Sequence, residues 1–341
     1  MSMLGNREEQ IIIAHGGGGE KTRQLIAERF LPRLSNPLLA PLGDSAVLDI
    51  PRGRIAFTTD AHVVQPLEFP GGDIGRLSVC GTVNDLAVAG AVPVALSLAM
   101  VMEEGLPFPV LDRIISSIAE AAREAGIVIA TGDTKVVERQ RGDGMTITTA
   151  GVGAVREGLR LDTTRICSGD VILVTGRIAE HGLAVMSARE GLGLQTDLLS
   201  DVAPMNGLIA AVLDCGVDVK FMRDPTRGGL ACVLADLADD TGLTIEVREA
   251  AIPLSGAARH AAELLGLDPL SVANEGKVVM VASEADAAKV LAICHGHPLG
   301  KHAAIIGRTV SSQPALVELV TRSGGRRLVQ RPYGEELPRI C

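Results

Sequence analysis

The order of helix and strand patterns along the chain limits its fold more than any other feature. Apolar residues recur at helical spacing in some segments and form short β-type runs in others. In the first half, helix patterns cover residues 20–34, 73–89 and 110–125, and strand patterns cover 46–50, 55–59, 94–101 and 145–155. Because the two kinds do not alternate strictly, we expect an α+β fold rather than a doubly wound sheet.

A polar stretch at residues 156–169 separates a second set of elements from the first. This set comprises helix patterns at 179–190, 206–215, 229–241 and 284–294 and strand patterns at 171–175, 217–221, 244–247, 278–282 and 304–310. A chain of 341 residues is long enough for about two cores. We therefore predict an N-terminal domain at 1–158, a C-terminal α/β domain at 159–330 and a mobile tail at 331–341.

Charge and composition argue against two classes of partner. The net charge is −9, Trp is absent, and there are only five Phe and one Tyr, so the basic surface and stacking aromatics of a nucleic-acid binder are missing. The longest uncharged run, residues 86–102, is short for a bilayer and is broken by Gly90 and Pro93. The first residues are acidic where a signal peptide would be basic and then apolar, so we expect a cytoplasmic protein without a membrane partner.

The last eleven residues, 331–341, are rich in Pro, Gly and charge and finish on Cys341. Such a segment is too polar for a core, and its prolines stiffen it, which is typical of an arm that carries a reactive thiol. The alternative is a frayed terminus whose cysteine is accidental.

Carboxylates follow apolar segments at five places, where they lie at or near the ends of elements. They are Asp44, Asp60, Asp85 (preceded by Asn84), Asp133 and Asp224. An Asp at such a place is usually a turn or helix-cap residue. Five together favour a second interpretation, in which Mg²⁺ joins some of them to substrate phosphates.

A glycine-rich loop, His15-Gly16-Gly17-Gly18-Gly19, lies just before the first predicted helix. Glycines let the backbone approach a ligand closely, and free N–H groups at a helix start favour anions. The spacing matches neither the Walker loop nor the dinucleotide fingerprint. The loop is therefore either a phosphate cradle of another architecture or a flexible linker.

These motifs, taken in order, closely resemble the HypE family of hydrogenase maturation factors. The similar segments are HGGGGEKTRQLI from His15, GDSAVL from Gly43, TTDAHVVQPLEFPGGDIGRLSVCGTVNDLAVAGA from Thr58, GDTKVV from Gly132, FMRDPTRGGLA from Phe221, NEGK from Asn274, HPLGKHAAIIG from His297 and PRIC from Pro338. The carboxylate motifs are shared more loosely with aminoimidazole ribonucleotide synthetase, selenophosphate synthetase and thiamine-monophosphate kinase, whereas PRIC separates HypE from them. His62 departs from the small residue expected after the TTDA segment.

The resemblance implies a two-domain fold of the aminoimidazole ribonucleotide synthetase type, also called PurM-like. It also implies a homodimer whose N-terminal domains pair into a shared β-barrel. ATP would lie between the two halves, with the glycine loop over its phosphates. By matching motif positions, Mg²⁺ and nucleotide would be held by Asp44, Asp60, Asn84, Asp85, Asp133 and Asp224, with Asn84 contacting the nucleotide only.

The reaction implied by the resemblance takes place on the tail. Family members accept a carbamoyl group on the thiol corresponding to Cys341 from the carbamoyltransferase HypF. They use ATP to dehydrate it to a thiocyanate, and they pass the cyano group to iron on the HypC–HypD complex for NiFe hydrogenase. For this chemistry Lys135 would neutralise the transferring phosphoryl group, and Glu275 would be the general base. Both could instead merely pair with charged neighbours.

Two other functions stay open at this stage. One is a small-molecule kinase or ATP-dependent synthetase of the same fold, in which Cys341 is incidental. The other is a nickel or iron carrier that binds metal with Cys341, Cys294, His295 and His297, since thiolate and imidazole suit such metals. We also expect activation of the Cys341 thiol to come from the donor enzyme or from a site on this protein, rather than from the tail itself.

Overall fold

A computed structural model describes most of the chain. The described residues are 10–17, 19–42, 45–49, 53–189, 197–312, 314–332 and 340–341. No helix in this part of the chain is both long and apolar enough to span a bilayer.

The first half forms a four-stranded sheet with helices on one face. Its elements are α1 (Glu20–Leu25), α2 (Leu31–Leu34), β1 (Ile55–His62), β2 (Glu68–Phe69), β3 (Gly72–Asp73), α3 (Ile74–Val88), β4 (Ala91–Glu103), α4 (Phe108–Ala125), β5 (Val128–Val137) and β6 (Met145–Val155). The sheet order is β1-β6-β4-β5, and only the β4–β5 pair is parallel. Strands β1 and β5 are thus its two edges.

Helix α3 forms the centre of the first core. The Asp73 side chain caps it by accepting the backbone N–H of Arg76, and twelve of its fifteen residues are buried. Gly75 allows the close approach of α4, because a Cβ there would lie 2.6 Å from the carbonyl oxygen of Ile114. The apolar stripe of α4 packs against α3, so both helices cover the same face of the sheet.

The opposite face of this sheet is open. Large apolar side chains project from it, notably Phe57, which is 75% exposed, Ile55, Val92 and Val101. A sheet face with this many exposed apolar side chains is typical of a surface that another protein surface covers.

The second half forms a seven-stranded sheet with its own core. Its elements are β7 (Val171–Val174), α5 (Glu180–Ser187), α6 (Asn206–Asp214), β8 (Val219–Arg223), α7 (Gly229–Thr241), β9 (Thr244–Arg248), α8 (Gly256–Leu265), β10 (Val279–Ala282), α9 (Glu284–His295), β11 (Ala304–Val310), β12 (Val317–Val320) and β13 (Arg326–Val329). The order β13-β12-β9-β11-β7-β10-β8 is mainly antiparallel. The expected α+β architecture is confirmed, while the exact domain limits stay a prediction.

The structure differs from the predicted elements at several places. Residues 45–49 are not a strand, and β5, α8, β12 and β13 were not predicted. β5 was missed because Ile129 and Ala130 are both buried and Gly132 and Asp133 are both exposed, so the two-residue alternation of a strand is lost. The uncharged run at 86–102 is not one continuous element: α3 ends at Val88, Gly90 turns with φ +78°, and β4 follows.

Candidate active site

The Cys341 side chain lies at the β1 edge of the first sheet. It borders an open pocket of about 480 Å³ whose other lining residues are Thr59, Asp60, Ala61 and Arg227. Ile340 is 3% exposed and packs in the first core. The end of the tail is therefore docked inward, a position that the sequence did not decide. Residues 333–339, where we predicted mobility, lie outside the described residues.

Arg227 is the cation of this pocket, and sequence reasoning gave it no role. Its guanidinium lies near the Cys341 thiol, where its positive charge favours the thiolate form, and its Nη2 lies 3.5 Å from Asp60 Oδ1. Burial and Glu275 raise the pKa of the Cys341 thiol to about 12, which Arg227 only partly opposes. Docked Cys341 is consequently a neutral thiol at physiological pH. The sequence could have pointed to Arg227, because this residue lies in the same motif as Asp224.

Three carboxyl groups near the pocket have raised pKa values. Burial, followed by Asp85 and Asp60, raises the pKa of Asp224 to about 7. Burial also raises the pKa of Asp85, although a hydrogen bond of 2.9 Å that Thr58 Oγ1 donates to its carboxyl group acts in the opposite direction. The pKa of Glu275 is well above its usual range because of burial, Asp224 and Asp201. These groups therefore bind protons more strongly than ordinary carboxylates do.

Glu275 has the most unusual environment of the three. Its side chain is 3% exposed, and Oε1 has no hydrogen-bond partner among the described residues. Its backbone N–H donates to Asp201 Oδ1 at 3.1 Å, and its carbonyl oxygen accepts from Asn84 Nδ2 at 3.1 Å. The peptide is fixed while the carboxyl group keeps an unsatisfied oxygen, an arrangement that is costly unless a ligand uses it.

The structure places Asn84 differently from the prediction. Its amide donates to the carbonyl oxygens of Ala203 and Glu275, and its Oδ1 accepts the backbone N–H of Met205. Both of its N–H donors are used, and the residue is 1% exposed. Asn84 thus joins α3 to the second half of the molecule instead of presenting a free amide to nucleotide.

The glycine loop and GDTK motif meet at the other edge of the sheet. Gly16 packs on β5 so closely that a Cβ would lie 2.3 Å from the Val136 nitrogen. A cavity of about 160 Å³ lies beside this contact and is lined by Gly16, Asp133 and Lys135 together with apolar residues of the first helices. Lys135 Nζ is 3.6 Å from Asp133 Oδ2, and both side chains are exposed. This edge therefore offers glycine backbone and a solvated charge pair.

The other predicted residues of the glycine loop, and Asp44, differ in what the structure shows of them. His15 is buried, and its Nδ1 accepts the backbone N–H of Ile12 at 3.1 Å, so one ring nitrogen is occupied within the loop itself. A Cβ at Gly19 would have no neighbour within 4 Å, and a Cβ at Gly17 would lie 3.7 Å from the carbonyl oxygen of Ala14. Gly18 and Asp44 lie outside the described residues.

The two groups of predicted site residues do not meet within one chain. One row of paired residues crosses the sheet from Ala61 through Thr148 and Ala99 to Asp133. Three strand spacings separate its ends, a distance of about 14 Å. Asp60, Asp85 and Cys341 therefore lie near one edge, and Asp133 and Lys135 lie at the other.

Among the described residues, no cluster of three or more His, Cys, Asp or Glu side chains could hold a metal ion. Mg²⁺ does not require such a cage, because it commonly takes one or two carboxylates together with phosphate oxygens and water. The chemistry of Asp60, Asp85 and Asp224 fits that mode, whereas Asp133 is too far away to join them in the same chain.

The metal-carrier alternative finds no support in the region 294–297. His295 bonds the Ala303 carbonyl at 2.9 Å, and His297 Nδ1 accepts the backbone N–H of Leu299. Cys294 is 1% exposed, and burial raises its pKa to about 11. These side chains have structural roles where they stand.

His62 lies beside Asp60, with 3.5 Å between His62 Nε2 and Asp60 Oδ2. It is 2% exposed, and neither ring nitrogen has a hydrogen-bond partner among the described residues. Burial lowers its pKa, so the ring is neutral. The departure from a small residue thus places an unsatisfied imidazole next to the pocket.

Comparison with known proteins agrees with this arrangement. The families described as AIR synthase related protein, N-terminal and C-terminal domain, match residues 42–155 and 168–317. Carbamoyl dehydratase HypE of Azotobacter vinelandii is 47% identical over the whole of both chains. The chain belongs to the HypE family.

Solved structures of HypE proteins are also similar. A HypE described in complex with ATP has a TM-score of 0.93 and 41% identity and covers 97% of this chain and 99% of its own. A HypE–HypF complex matches with a TM-score of 0.79 and 45% identity, covering 90% of this chain and 99% of the other. The predicted PurM-like fold is therefore confirmed.

Proposed function

We propose that this protein is an ATP-dependent carbamoyl dehydratase that acts on its own Cys341. The substrate group is –S–C(=O)–NH₂, and the product is the thiocyanate –S–C≡N. The amide oxygen leaves with the γ-phosphoryl group of ATP as inorganic phosphate, and the two hydrogens of the amide nitrogen leave as protons, so that ADP is the second product. The observation that carries this proposal is the inward position of Cys341 beside Arg227, Asp60 and Glu275.

Glu275 is the group best suited to take a proton from the carbamoyl nitrogen. Its raised pKa makes it a stronger base once it is ionised, and Arg227 favours that ionised form. Its unpartnered oxygen leaves one acceptor free inside a buried site. Because amide nitrogen is weakly acidic, a strong and fixed base contributes more here than an ordinary surface carboxylate would.

Arg227 orients the sulfur and carries the positive charge of the pocket. Its guanidinium and the Glu275 carboxyl group both act on the Cys341 thiol, so both would lie near a carbamoyl group carried there. It also lies beside Asp60, so it can balance negative charge that develops near the reacting amide.

The raised pKa of docked Cys341 indicates that carbamoylation of the thiol and dehydration of the carbamoyl group take place with the tail in different positions. A thiolate is required to attack a carbamoyl donor, and the inward site disfavours thiolate. We infer that the thiol accepts the carbamoyl group when the tail is released to HypF, the partner seen with a relative, and that the neutral carbamoylated residue then returns. Of the two sources of activation considered, this favours the donor enzyme.

Mg²⁺ is proposed as the metal that accompanies ATP. Asp60, Asp85 and Asp224 would hold it on the protein side, and the glycine loop with Lys135 would contact the phosphates. A bound divalent cation would neutralise the negative charge that builds up on the transferring phosphoryl group. Asp44 remains a further predicted ligand outside the described residues.

A homodimer is proposed because one chain separates Lys135 from Cys341. Pairing the open sheet faces of two copies would bury Ile55, Phe57, Val92 and Val101. It would also bring the β5 edge of one copy near the β1 edge of the other, as the predicted shared barrel requires. Lys135 would then serve the Cys341 of its partner copy.

The acceptor of the cyano group and the cellular compartment are proposed by analogy with the HypE family. We propose that the cyano group passes to iron on the HypC–HypD complex. All six cysteines are free, which suits a reducing compartment such as the cytoplasm.

The decisive experiment is to supply carbamoylated full-length protein with Mg-ATP and to weigh the peptide that contains Cys341. Loss of the mass of one water, with one phosphate released for each modified peptide, is expected. The control is the same protein with a non-hydrolysable ATP analogue. ATP turnover with an unchanged peptide would instead favour the kinase or synthetase alternative.

A further inference from the structure

The imidazole of His181 contacts the docked tail directly. His181 is fully buried at the start of α5, and its Nε2 is 2.9 Å from the carbonyl oxygen of Ile340. Because a carbonyl only accepts, Nε2 carries the hydrogen and donates it. The bond ends on the peptide group immediately before Cys341.

The other ring nitrogen fixes this tautomer. Nδ1 is 2.8 Å from Ser200 Oγ, and that oxygen already accepts the backbone N–H of Val202 at 3.1 Å. The Ser200 hydroxyl hydrogen is therefore free to bond Nδ1, which leaves Nε2 as the N–H nitrogen. Phe69 holds the ring edge-on, with 5.4 Å between ring centroids.

His181 and Glu275 belong to one fixed unit. The N-cap residue of α5, Ala179, has φ +70°, and its N–H donates to Asn274 Oδ1 at 2.7 Å. In the next turn Gly182 N–H donates to the Ala273 carbonyl at 3.1 Å. The segment that bears the histidine is thus bonded to the two residues that precede Glu275.

Ser200 is equally constrained from the other half of the molecule. Its N–H donates to the Pro70 carbonyl at 2.7 Å, and the adjacent Asp201 accepts the N–H of Glu275. The donor that faces the tail therefore has a set position relative to the acid that faces the Cys341 pocket. A ring held on three sides and aimed at a single carbonyl is preorganised for that carbonyl.

We propose that His181 is the latch of the tail, a positioning residue whose Nε2–H holds the Ile340 carbonyl so that the group on Cys341 meets Glu275 and Arg227. This assignment rests on the proposed reaction at Cys341. Burial of the Ile340 side chain strengthens docking of the tail. The histidine fixes which residue of the tail docks, because its N–H can bond only one carbonyl. Loss of the latch would free the tail without disturbing the nucleotide edge of the sheet.

The first test measures tail release without any chemistry at the active site. Full-length protein is treated with iodoacetamide, and alkylation of Cys341 is followed by mass spectrometry, with exposed Cys167 and Cys215 as internal references. His181→Phe keeps an aromatic ring but removes the donor, so Cys341 should react about tenfold faster, the size expected for one lost hydrogen bond. His181→Gln restores an N–H donor and should return the rate towards that of the unmodified protein.

The matched control is His295→Phe. It removes another imidazole-to-carbonyl bond, to Ala303, that does not involve the tail, and it should leave Cys341 alkylation unchanged. If His181→Phe does not unfold cooperatively, His181→Asn replaces it, since the shorter amide can reach Ser200 but not Ile340. Unchanged alkylation in the variant used, or no recovery in His181→Gln, would overturn the latch.

A second measurement links the latch to the reaction. In single-turnover dehydration of carbamoylated protein, His181→Phe should lower the rate by about the same tenfold factor and leave the KM for ATP unchanged. An equal rate in both proteins would also overturn the proposal. Failure of the unmodified protein to dehydrate would refute the proposed function alone, since the alkylation result does not depend on it.

Discussion

The two edges of the N-terminal sheet differ in burial and in the state of their charged groups. At β1, Asp85, Asp224 and Glu275 are withdrawn from water and have raised pKa values. At β5, Asp133 and Lys135 are 67% and 64% exposed and pair with each other. The buried edge is suited to proton transfer and the exposed edge to binding phosphate, so the proposed reaction would need both edges.

The largest expected effect tests the β1 edge. Cys341→Ser keeps the size of the side chain but replaces the thiol that carries the carbamoyl group, so cyano-group formation should be abolished. Binding of ATP, measured by calorimetry, should stay within about twofold because none of the proposed contacts to the nucleotide involves the Cys341 side chain. Strong loss of ATP binding in this variant would mean that the thiol itself contributes to the nucleotide site.

Glu275→Gln should have the next largest effect. The amide keeps the shape of the side chain but cannot accept an amide proton as a base, so the single-turnover rate should fall by about 10² to 10⁴. Carbamoylation of Cys341 should continue, which mass spectrometry of the modified peptide can show. A normal dehydration rate would remove Glu275 from the mechanism.

Lys135→Ala tests the β5 edge and the proposed dimer together. We expect a rate loss of about 10² to 10³, the size found for one charge-stabilising donor. If Lys135 serves the partner copy, mixing Lys135→Ala with Cys341→Ser protein should restore about a quarter of the normal activity, because half of the dimers are mixed and each has one complete site. Activity that stays at the level of the separate variants would contradict a shared site.

Asp224→Asn should change the free energy of unfolding in a way that depends on pH. Since the pKa of Asp224 is about 7 when folded and 3.8 as its ordinary value, the folded state binds the proton more strongly. Stability is therefore lost as pH rises from about 4 to about 7, up to about 4 kcal/mol. Without divalent cations the variant should be more stable than the unmodified protein at pH 8, but not at pH 4.

Urea unfolding at these two pH values measures that difference. Asp133→Asn is the control at the exposed edge and should change stability by about 0.5 kcal/mol or less. Equal stability of Asp224→Asn and the unmodified protein at pH 8 would mean that the ionised Asp224 carboxylate does not destabilise the folded state.

Sequence reasoning predicted most elements and the acidic motifs, because both depend on local patterns. It placed Asp60, Asp85, Asp133 and Asp224 in one site. The structure brings Asp60 and Asp85 close to Asp224 and puts Asp133 at the far edge of the sheet. The order and register of strands arise from contacts distant in sequence, so a single sequence does not reveal them. His181 was missed for the same reason, since its partner Ile340 is 159 positions away.

Arg331 sets the distance over which Cys341 can travel. Its guanidinium pairs with Asp236 and Asp239 on α7, at 2.7 Å in both cases, and so fixes the base of the tail. From there to residue 340 the chain spans at most about 30 Å. While that pair holds, an enzyme that modifies the thiol must therefore place its reactive carbon within about that radius of α7.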